Sequence, residues 1–139
     1  MKIAVVYWSS TGNTEAMAQA VVEGAKHAGA EAELFTAAEF GGAKMDEFDA
    51  VAFGCPAMGA EELEDGEFAP MFETCESKLS GKKTALFGSY GWGDGEWMRT
   101  WEENCRDKGA NLVCDSVICQ ETPDDEALGA CRSLGEALA

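Results

Sequence analysis

The sequence of 139 residues lacks long hydrophobic segments. No apolar run approaches the ~20 residues that a membrane-spanning helix needs. The amino terminus, MKIAVVYW, has one lysine and no small-residue cleavage site behind its short apolar run. We therefore interpret it as a first strand and not as a signal peptide. Together these absences favour a cytoplasmic protein that does not associate with a membrane.

Basic residues are scarce. Ten Lys and Arg stand against 26 Asp and Glu, which gives a formal net charge of −16. Nucleic-acid binding is disfavoured, because phosphate backbones attract basic side chains. A protein partner with a basic surface is favoured, because opposite fields speed encounter. The alternative is that the acidic surface only aids solubility.

Metal-binding patterns are also missing. The six cysteines form no Cys-x-x-Cys pair, and His27 is the only histidine. Zinc and iron–sulfur sites are therefore poorly supported. A disulfide framework is not expected in a cytoplasmic domain that can form a full core. The sequence predicts buried free thiols and no metal site.

The chain has no internal repeat, low-complexity tract or linker, so we expect residues 1–139 to form one domain. Short apolar runs alternate with helical patterns, which predicts an α/β fold with a parallel sheet and helices on both faces. The predicted strands are 2–7, 31–35, 49–55, 83–90 and 111–118. The predicted helices are 14–28, 67–79, 95–107 and 124–138, the last with Asp124 as N-cap, and 37–48 is ambiguous.

Three loops leave the carboxyl ends of these strands. We call residues 8–14 the first loop, 56–66 the second loop and 89–95 the third loop; each is rich in glycine or small residues. Parallel sheets of this kind bind ligands at the carboxyl ends of their strands. The sequence therefore predicts a ligand site where these loops meet.

The first loop lacks charge. It has neither the Gly-Lys-Ser/Thr of an ATP-hydrolysing P-loop nor the Gly-x-Gly-x-x-Gly of a dinucleotide fold. Ser9 to Thr14 offer backbone N–H groups and hydroxyls at the start of a helix, where a partial positive charge favours anions. This pattern favours a phosphate site. The alternative is a helix N-cap preceded by a polar turn.

Apolar side chains mark the other two loops. Tyr90 and Trp92 stand among glycines in GSYGWGDGEW, where an aromatic side chain has no periodic neighbour and can lie against a planar ligand. Met58 offers a polarizable surface and Gly59 a flexible turn in the second loop. Taken singly, an exposed aromatic and a packed methionine explain these residues equally well. Their position on neighbouring strand ends favours the ligand.

The chain closely resembles the short-chain flavodoxins. The similarity lies in YWSSTGNTE, CPAMGAEELE, LFGSYGWGDGEWM and ICQETPD, and extends nearly end to end. It implies a flavodoxin-like three-layer sandwich, whose five-stranded parallel sheet has the order 2-1-3-4-5, with flavin mononucleotide (FMN) at the switch point. The insertion that splits the fifth strand of long-chain members is absent.

The resemblance also implies which residues contact FMN. The phosphate loop would comprise Ser9, Ser10, Thr11, Gly12, Asn13 and Thr14, with Ser10 where several members carry glycine. The ring would be contacted by Ala57, Met58, Gly59, Ala60, Glu61, Ser89, Tyr90, Gly91, Trp92 and Gly93. Asp94 would lie beside these residues, and Gln120 would reach the ribityl chain or the ring edge. Pro56 is excluded from the phosphate site.

Within that set the resemblance implies separate roles. Met58 and Trp92 would cover the two faces of the ring, and Glu61 would pair with its N3–H. The Gly59–Ala60 peptide matches one that flips to bond flavin N5 when the ring gains an electron and a proton. Since Ala disfavours positive φ, we expect Ala60 to weaken the flipped arrangement.

The resemblance implies a low-potential one-electron carrier with non-covalently bound FMN, and no enzyme activity. Between Lys44 and Lys78 the chain has ten acids and no Lys or Arg. A negative charge on the reduced ring would find no cation there. The acids beside the ring loop, Glu61, Glu62, Glu64, Asp65 and Glu67, are also the candidate docking surface for redox partners with basic surfaces. We expect a monomer.

Other functions on the same topology remain as alternatives. The first is an FMN-dependent NAD(P)H:quinone-type reductase, for which the chain has no added segment to build a nicotinamide site. A receiver domain needs acids at the ends of the first and third strands, where this chain has YWS and GCP. A cysteine-based phosphatase needs a cysteine in the first loop, which has none.

Overall fold

The computed structural model describes residues 1–59 and 61–139; Ala60 lies outside the described residues. The strands are β1 (Lys2–Tyr7), β2 (Glu31–Thr36), β3 (Ala50–Gly54), β4 (Lys83–Tyr90), β5 (Asn111–Leu112) and β6 (Val117–Gln120). The helices are α1 (Asn13–His27), α2 (Gly42–Met45), α3 (Phe68–Cys75), α4 (Glu96–Asp107) and α5 (Asp125–Leu138), with single 3₁₀ turns at Ala37–Glu39 and Glu76–Lys78.

The strands form one parallel sheet in the order β2-β1-β3-β4-β5, with β6 also paired to β4. β1 and β3 run side by side in the centre, with Ile3 opposite Ala50 and Tyr7 opposite Gly54. All five residues of β3 are buried, because helices cover both faces of the sheet. The resulting topology confirms the predicted fold class and strand order, and it places the first, second and third loops at one edge.

Two hydrophobic cores occupy the two faces of the sheet. One is rich in aromatic rings, among them Phe53, Phe72 and Trp101, and lies under α3 and α4. The other is built from smaller side chains such as Val5, Met17 and Leu134 under α1 and α5. Trp97 and Trp101 of α4 are both buried, so they are packing residues.

Helices α1 and α5 approach closely because glycines stand at their contact. A Cβ atom at Gly24 would overlap the backbone carbonyl of Arg132, and one at Gly135 would overlap that of Val21. Both glycines lie on the buried faces of their helices. Because glycine has no Cβ atom, the backbones of α1 and α5 pack directly against each other. This contact holds α1, and the first loop that precedes it, against the sheet.

The predicted fifth strand, 111–118, is wrong as one continuous element. β5 pairs with Lys83 and Thr84, and β6 pairs with Phe87–Tyr90. Between them the Ser116 hydroxyl donates to the Glu102 carboxylate on α4 at 2.6 Å. This contact with a distant helix draws the chain off the ladder between the two short strands.

Other predicted elements differ at their ends. The helix predicted at 67–79 ends at Cys75 and continues as a 3₁₀ turn, and the ambiguous region 37–48 contains a 3₁₀ turn and the short α2. Asp124 is confirmed as the N-cap of α5, since its carboxylate accepts the Ala127 N–H at 2.8 Å. No helix among residues 1–59 and 61–139 is long and apolar enough to cross a membrane.

All six cysteines are free thiols, and four of them are buried. Burial raises the pKa of Cys55, Cys105 and Cys131 to about 12 and that of Cys75 to about 11. These four are therefore protonated at neutral pH, as expected of inert core thiols. Cys114 and Cys119 are only half-buried, so the prediction of buried thiols does not extend to them.

Candidate functional site

The first loop turns sharply into α1 at a glycine. Gly12 has φ +92°, its N–H donates to the Ser9 hydroxyl at 3.1 Å, and its carbonyl accepts the Ala16 N–H at 3.0 Å. The N–H groups of a first helical turn have no partner inside the helix. Gly12, the N-cap residue of α1, has no side chain to cap it, and the Thr11 hydroxyl accepts the N–H of Asn13 at 3.4 Å. The loop therefore presents uncharged donors at the positive end of a 15-residue helix.

A buried hydroxyl pair joins the first loop to the third loop. Thr14 Oγ1 lies 3.1 Å from Ser89 Oγ, and both side chains are almost completely buried. The Ser89 carbonyl accepts the Ala57 N–H from the second loop at 3.0 Å. Ser89 thus connects all three loops at the carboxyl ends of β1, β3 and β4.

The second loop contains a tight hairpin. Met58 and Glu62 exchange two backbone hydrogen bonds, of 2.8 and 2.9 Å. Gly59 has φ +49° and Glu61 has φ +56°, a conformation that a glutamate rarely adopts. The predicted flip of the Gly59–Ala60 peptide falls partly on Ala60, which lies outside the described residues. The described part places Met58 at one end of the turn and Glu61 directly before the other end, Glu62.

Glu61 has a buried oxygen without a hydrogen-bond partner. Its Oε1 makes no hydrogen bond to the described residues, although it is shielded from solvent. The side chain lies against Gly93 of the third loop, where a Cβ atom would overlap it. The one comparable buried atom in the described residues, Trp101 Nε1, lies far along α4 against the rings of Phe68 and Phe72. Glu61 is thus a fixed acceptor to which the described protein supplies no donor.

The third loop exposes one aromatic ring and anchors another. Trp92 is 63% exposed, whereas Tyr90 packs against Trp97 with ring centroids 5.5 Å apart. The Gln120 amide donates to the Gly91 carbonyl at 3.3 Å, which ties β6 to this loop. An exposed indole beside an unpartnered carboxylate is available to a planar ligand that offers both a face and a donor.

The three loops surround a cavity of about 210 Å³. Its walls are formed by Ser10, Thr11, Asn13, Pro56, Ala57, Met58, Ser89, Tyr90, Gly91 and Glu121. Eight of these ten were predicted as site residues. The other described residues of the predicted site do not line this cavity: Ser9, Gly12, Thr14, Gly59, Glu61, Trp92, Gly93, Asp94 and Gln120.

Sequence reasoning missed two wall residues. Pro56 was excluded from the phosphate site, and it lines the cavity beside Ala57. Glu121 was not considered, although it directly follows Gln120 at the end of β6. It has φ +58° and its N–H donates to the Tyr90 carbonyl at 2.8 Å. No local pattern in ICQETPD marks that conformation, because it depends on the pairing with β4.

Comparison with known proteins decides the family. The family model described as Flavodoxin matches residues 5–135. The chain belongs to the flavodoxin family. It is 45% identical to the flavodoxin of Megasphaera elsdenii over 99% of this chain and 98% of that protein, and 43% identical to that of Clostridium beijerinckii over 97% of each. The solution structure of two-electron reduced Megasphaera elsdenii flavodoxin superposes with a TM-score of 0.89 over 98% of this chain and 97% of that one.

Membership assigns the class of function. Flavodoxins bind FMN and transfer electrons between redox proteins, and they are not enzymes. The carrier interpretation is therefore favoured over the quinone-type reductase. The site of this flavodoxin also fits FMN on its own chemistry. Uncharged donors and a helix N-terminus suit the phosphate, and the unpartnered Glu61 oxygen and exposed Trp92 suit the ring.

A second cavity of this flavodoxin, of about 360 Å³, is lined by Ser9, Ser10 and Gly12 of the first loop. Glu15 and Glu67 line it. Glu15 accepts the Tyr7 hydroxyl at 3.0 Å, and burial together with this bond raises the pKa of Tyr7. Its two carboxylates, Glu15 and Glu67, disfavour an anion in this cavity.

The acids of the second loop differ in their surroundings. Glu62 and Asp65 are exposed, but Glu64 binds the backbone N–H groups of Gly66, Glu67 and Phe68 at 2.7–2.8 Å. Burial by itself would raise the pKa of Glu64. The three N–H donors have the larger combined effect, so the pKa of Glu64 lies below its usual value. The carboxylate of Glu64 is thus occupied by backbone N–H groups, whereas Glu62, Asp65 and Glu67 of the candidate docking surface are exposed.

Proposed function

We propose that residues 1–139 act as one FMN-binding domain that carries single electrons at low potential. The phosphate would bind to Ser9, Ser10, Thr11, Gly12, Asn13 and Thr14. The ring would lie between Met58 and Trp92, with further contacts from Ala57, Gly59, Ala60, Glu61, Ser89, Tyr90, Gly91, Gly93, Asp94 and Gln120. The observation that carries the assignment is the buried Glu61 oxygen, which needs a donor from outside the protein.

When bound, FMN supplies the redox chemistry, and the protein sets its potential and access. The Glu61 carboxylate accepts a hydrogen bond at the ring edge and places a negative charge there. Arg99 is the cation nearest to the third loop in sequence, and its guanidinium pairs with Asp94 at 3.0 Å. Negative charge added to the ring would be opposed by Glu61 and would meet no unpaired cation from the segment between Lys44 and Lys78.

Potentiometry of the FMN-loaded protein tests the low potential. We expect the second-electron couple to lie well below that of free FMN, because the added charge is destabilised next to Glu61. Glu61→Gln should raise that couple, since it keeps an acceptor and removes the charge. Couples that both lie near those of free FMN would contradict the proposal.

The partners we propose are redox proteins with basic docking surfaces. Glu62 and Asp65 are exposed beside the ring hairpin, and the net charge of −16 favours attraction over long range. The same charge opposes self-association, so we propose that the protein is a monomer. We also propose that it is cytoplasmic. Electron transfer to a basic haem protein should slow as salt rises.

A double variant locates the docking surface. E62Q/D65N should lose part of that salt dependence. E31Q/E33Q, which removes the same charge from β2, the outermost strand of the sheet, should retain it. Rates that do not change with salt in the unmodified protein would show that the acidic surface serves solubility alone.

A further inference from the structure

Glu64 is bound by four consecutive backbone N–H groups. Its Oε1 accepts from Glu67 at 2.7 Å and Phe68 at 2.8 Å, and its Oε2 accepts from Gly66 at 2.8 Å. Its backbone carbonyl accepts from Ala69 at 2.8 Å. These groups belong to the start of α3, which the residue at its own N-cap, Glu67, does not cap with its side chain. Glu64 alone therefore accepts the hydrogen bonds of all four N–H groups at the start of α3.

Glu64 also closes the base of the hairpin. Its N–H donates to the Cys55 thiol at 3.4 Å, and Cys55 is the buried residue that directly follows β3. Within the segment so closed, Met58 and Glu62 form the paired rungs of the hairpin. The hairpin thus lies between the end of β3 and the start of α3. Glu64 is hydrogen-bonded to both.

The same residue reaches towards the first loop through Glu67. The Trp8 indole N–H donates to the Glu67 carboxylate at 3.1 Å, and the Glu67 N–H is one of those held by Glu64. The Trp8 backbone N–H in turn donates to the Gly54 carbonyl at 3.0 Å. Glu64 is therefore part of a series of hydrogen bonds, through Glu67 and Trp8, that connects the ends of β1 and β3.

We propose that Glu64 is a positioning residue for the flavin ring: its carboxylate fixes the base of the hairpin that presents Met58 and Glu61. The inference rests on the proposed function, because it takes those two residues as ring contacts. A carboxylate has two acceptor oxygens for three donors. Glutamine has one oxygen and an NH₂ group, which would face a backbone N–H, so charge and shape are both required.

Glu64→Gln tests the proposal, with Glu62→Gln as the matched control. Both changes remove one negative charge from the second loop, and Glu62 is exposed. FMN affinity of the apoprotein, measured by quenching of flavin fluorescence, should weaken on the order of tenfold in E64Q, about the contribution of one charge-assisted hydrogen bond. In E62Q it should weaken by less than about twofold.

Two further measurements separate positioning from fold stability. The second-electron potential and the visible circular dichroism of bound FMN should change in E64Q beyond the change in E62Q, because Met58 and Glu61 shift against the ring. Amide exchange at Gly66, Glu67 and Phe68 should accelerate in E64Q only. Equal affinity, potential and dichroism in E64Q and E62Q would overturn the proposal, even if E64Q melts at a lower temperature.

Glu64→Asp keeps the proposal falsifiable if E64Q does not fold. The shorter carboxylate retains the charge but cannot reach all three N–H groups, so FMN affinity should weaken by about threefold. An E64D protein with the affinity and potential of the unmodified protein would overturn the inference. Failure of the unmodified apoprotein to bind FMN would overturn the proposed function itself, and is therefore distinguishable.

Discussion

The first loop has no charged side chain, whereas the second loop has four carboxylates, although the two lie side by side at one edge of the sheet. The first is shaped by a left-handed glycine and by hydroxyls that bond its own backbone. The second is shaped by a paired hairpin and by Glu64. A phosphate dianion suits the neutral loop and is repelled by the acidic one. The difference therefore favours the proposed orientation, with the phosphate at the first loop and the ring at the second.

The largest expected effect comes from removing the Glu61 carboxylate. Glu61→Asn places a side chain that tolerates positive φ at this position and is too short to reach the ring. FMN binding should weaken by about 2–3 kcal/mol, the loss of a hydrogen bond to a charged group. The apoprotein should not be destabilised, because Oε1 has no partner there to lose. Isothermal titration and thermal unfolding measure the two quantities, and a parallel loss in both would contradict the account.

The second-largest effect is expected from the buried hydroxyl pair, Thr14 and Ser89, that joins the first loop to the third loop. Thr14→Val keeps the shape of the side chain, removes its hydroxyl and leaves the buried Ser89 hydroxyl unpaired. We expect about 2 kcal/mol of lost apoprotein stability in denaturant unfolding. Adding Ser89→Ala should cost little more, because the two hydroxyls act as a pair. Additive losses in this double-mutant cycle would show that the loops are not coupled through this contact.

The conformation of the first loop should have a smaller effect. Gly12→Ala meets no atom within 4 Å, so its cost is that of left-handed backbone alone, about 1–2 kcal/mol. Gly129→Ala in α5 is the matched control: it also meets no atom, and it should stabilise by about 0.5–1 kcal/mol through helix propensity. Thermal unfolding compares the pair. A neutral Gly12→Ala would contradict the role of this turn.

Elements that follow from local patterns were predictable from the sequence. β1 and β4 have the predicted bounds, because buried runs such as KIAVVY read as central strands of a parallel sheet. Asp124 was recognisable as an N-cap because it directly precedes an amphipathic helix. The three loops of the site followed from the order of the elements. Their residue roles came from the resemblance to flavodoxins.

Features that depend on distant contacts were not predictable. The break in the fifth strand depends on a bond from Ser116 to Glu102 of α4. The wall position of Glu121 depends on the end of β6 meeting Tyr90. Glu64 looked like one acid among several, because a sequence does not show which carboxylate turns back onto the amides that follow it.

The central claim is that a neutral loop holds the phosphate while the acidic loop holds the ring. Titrating the apoprotein with FMN and with riboflavin, which lacks only the phosphate, tests it most directly. We expect FMN to bind at least about a hundredfold more tightly, since several charge-assisted hydrogen bonds are lost with the phosphate. Equal affinities for the two flavins would contradict the account.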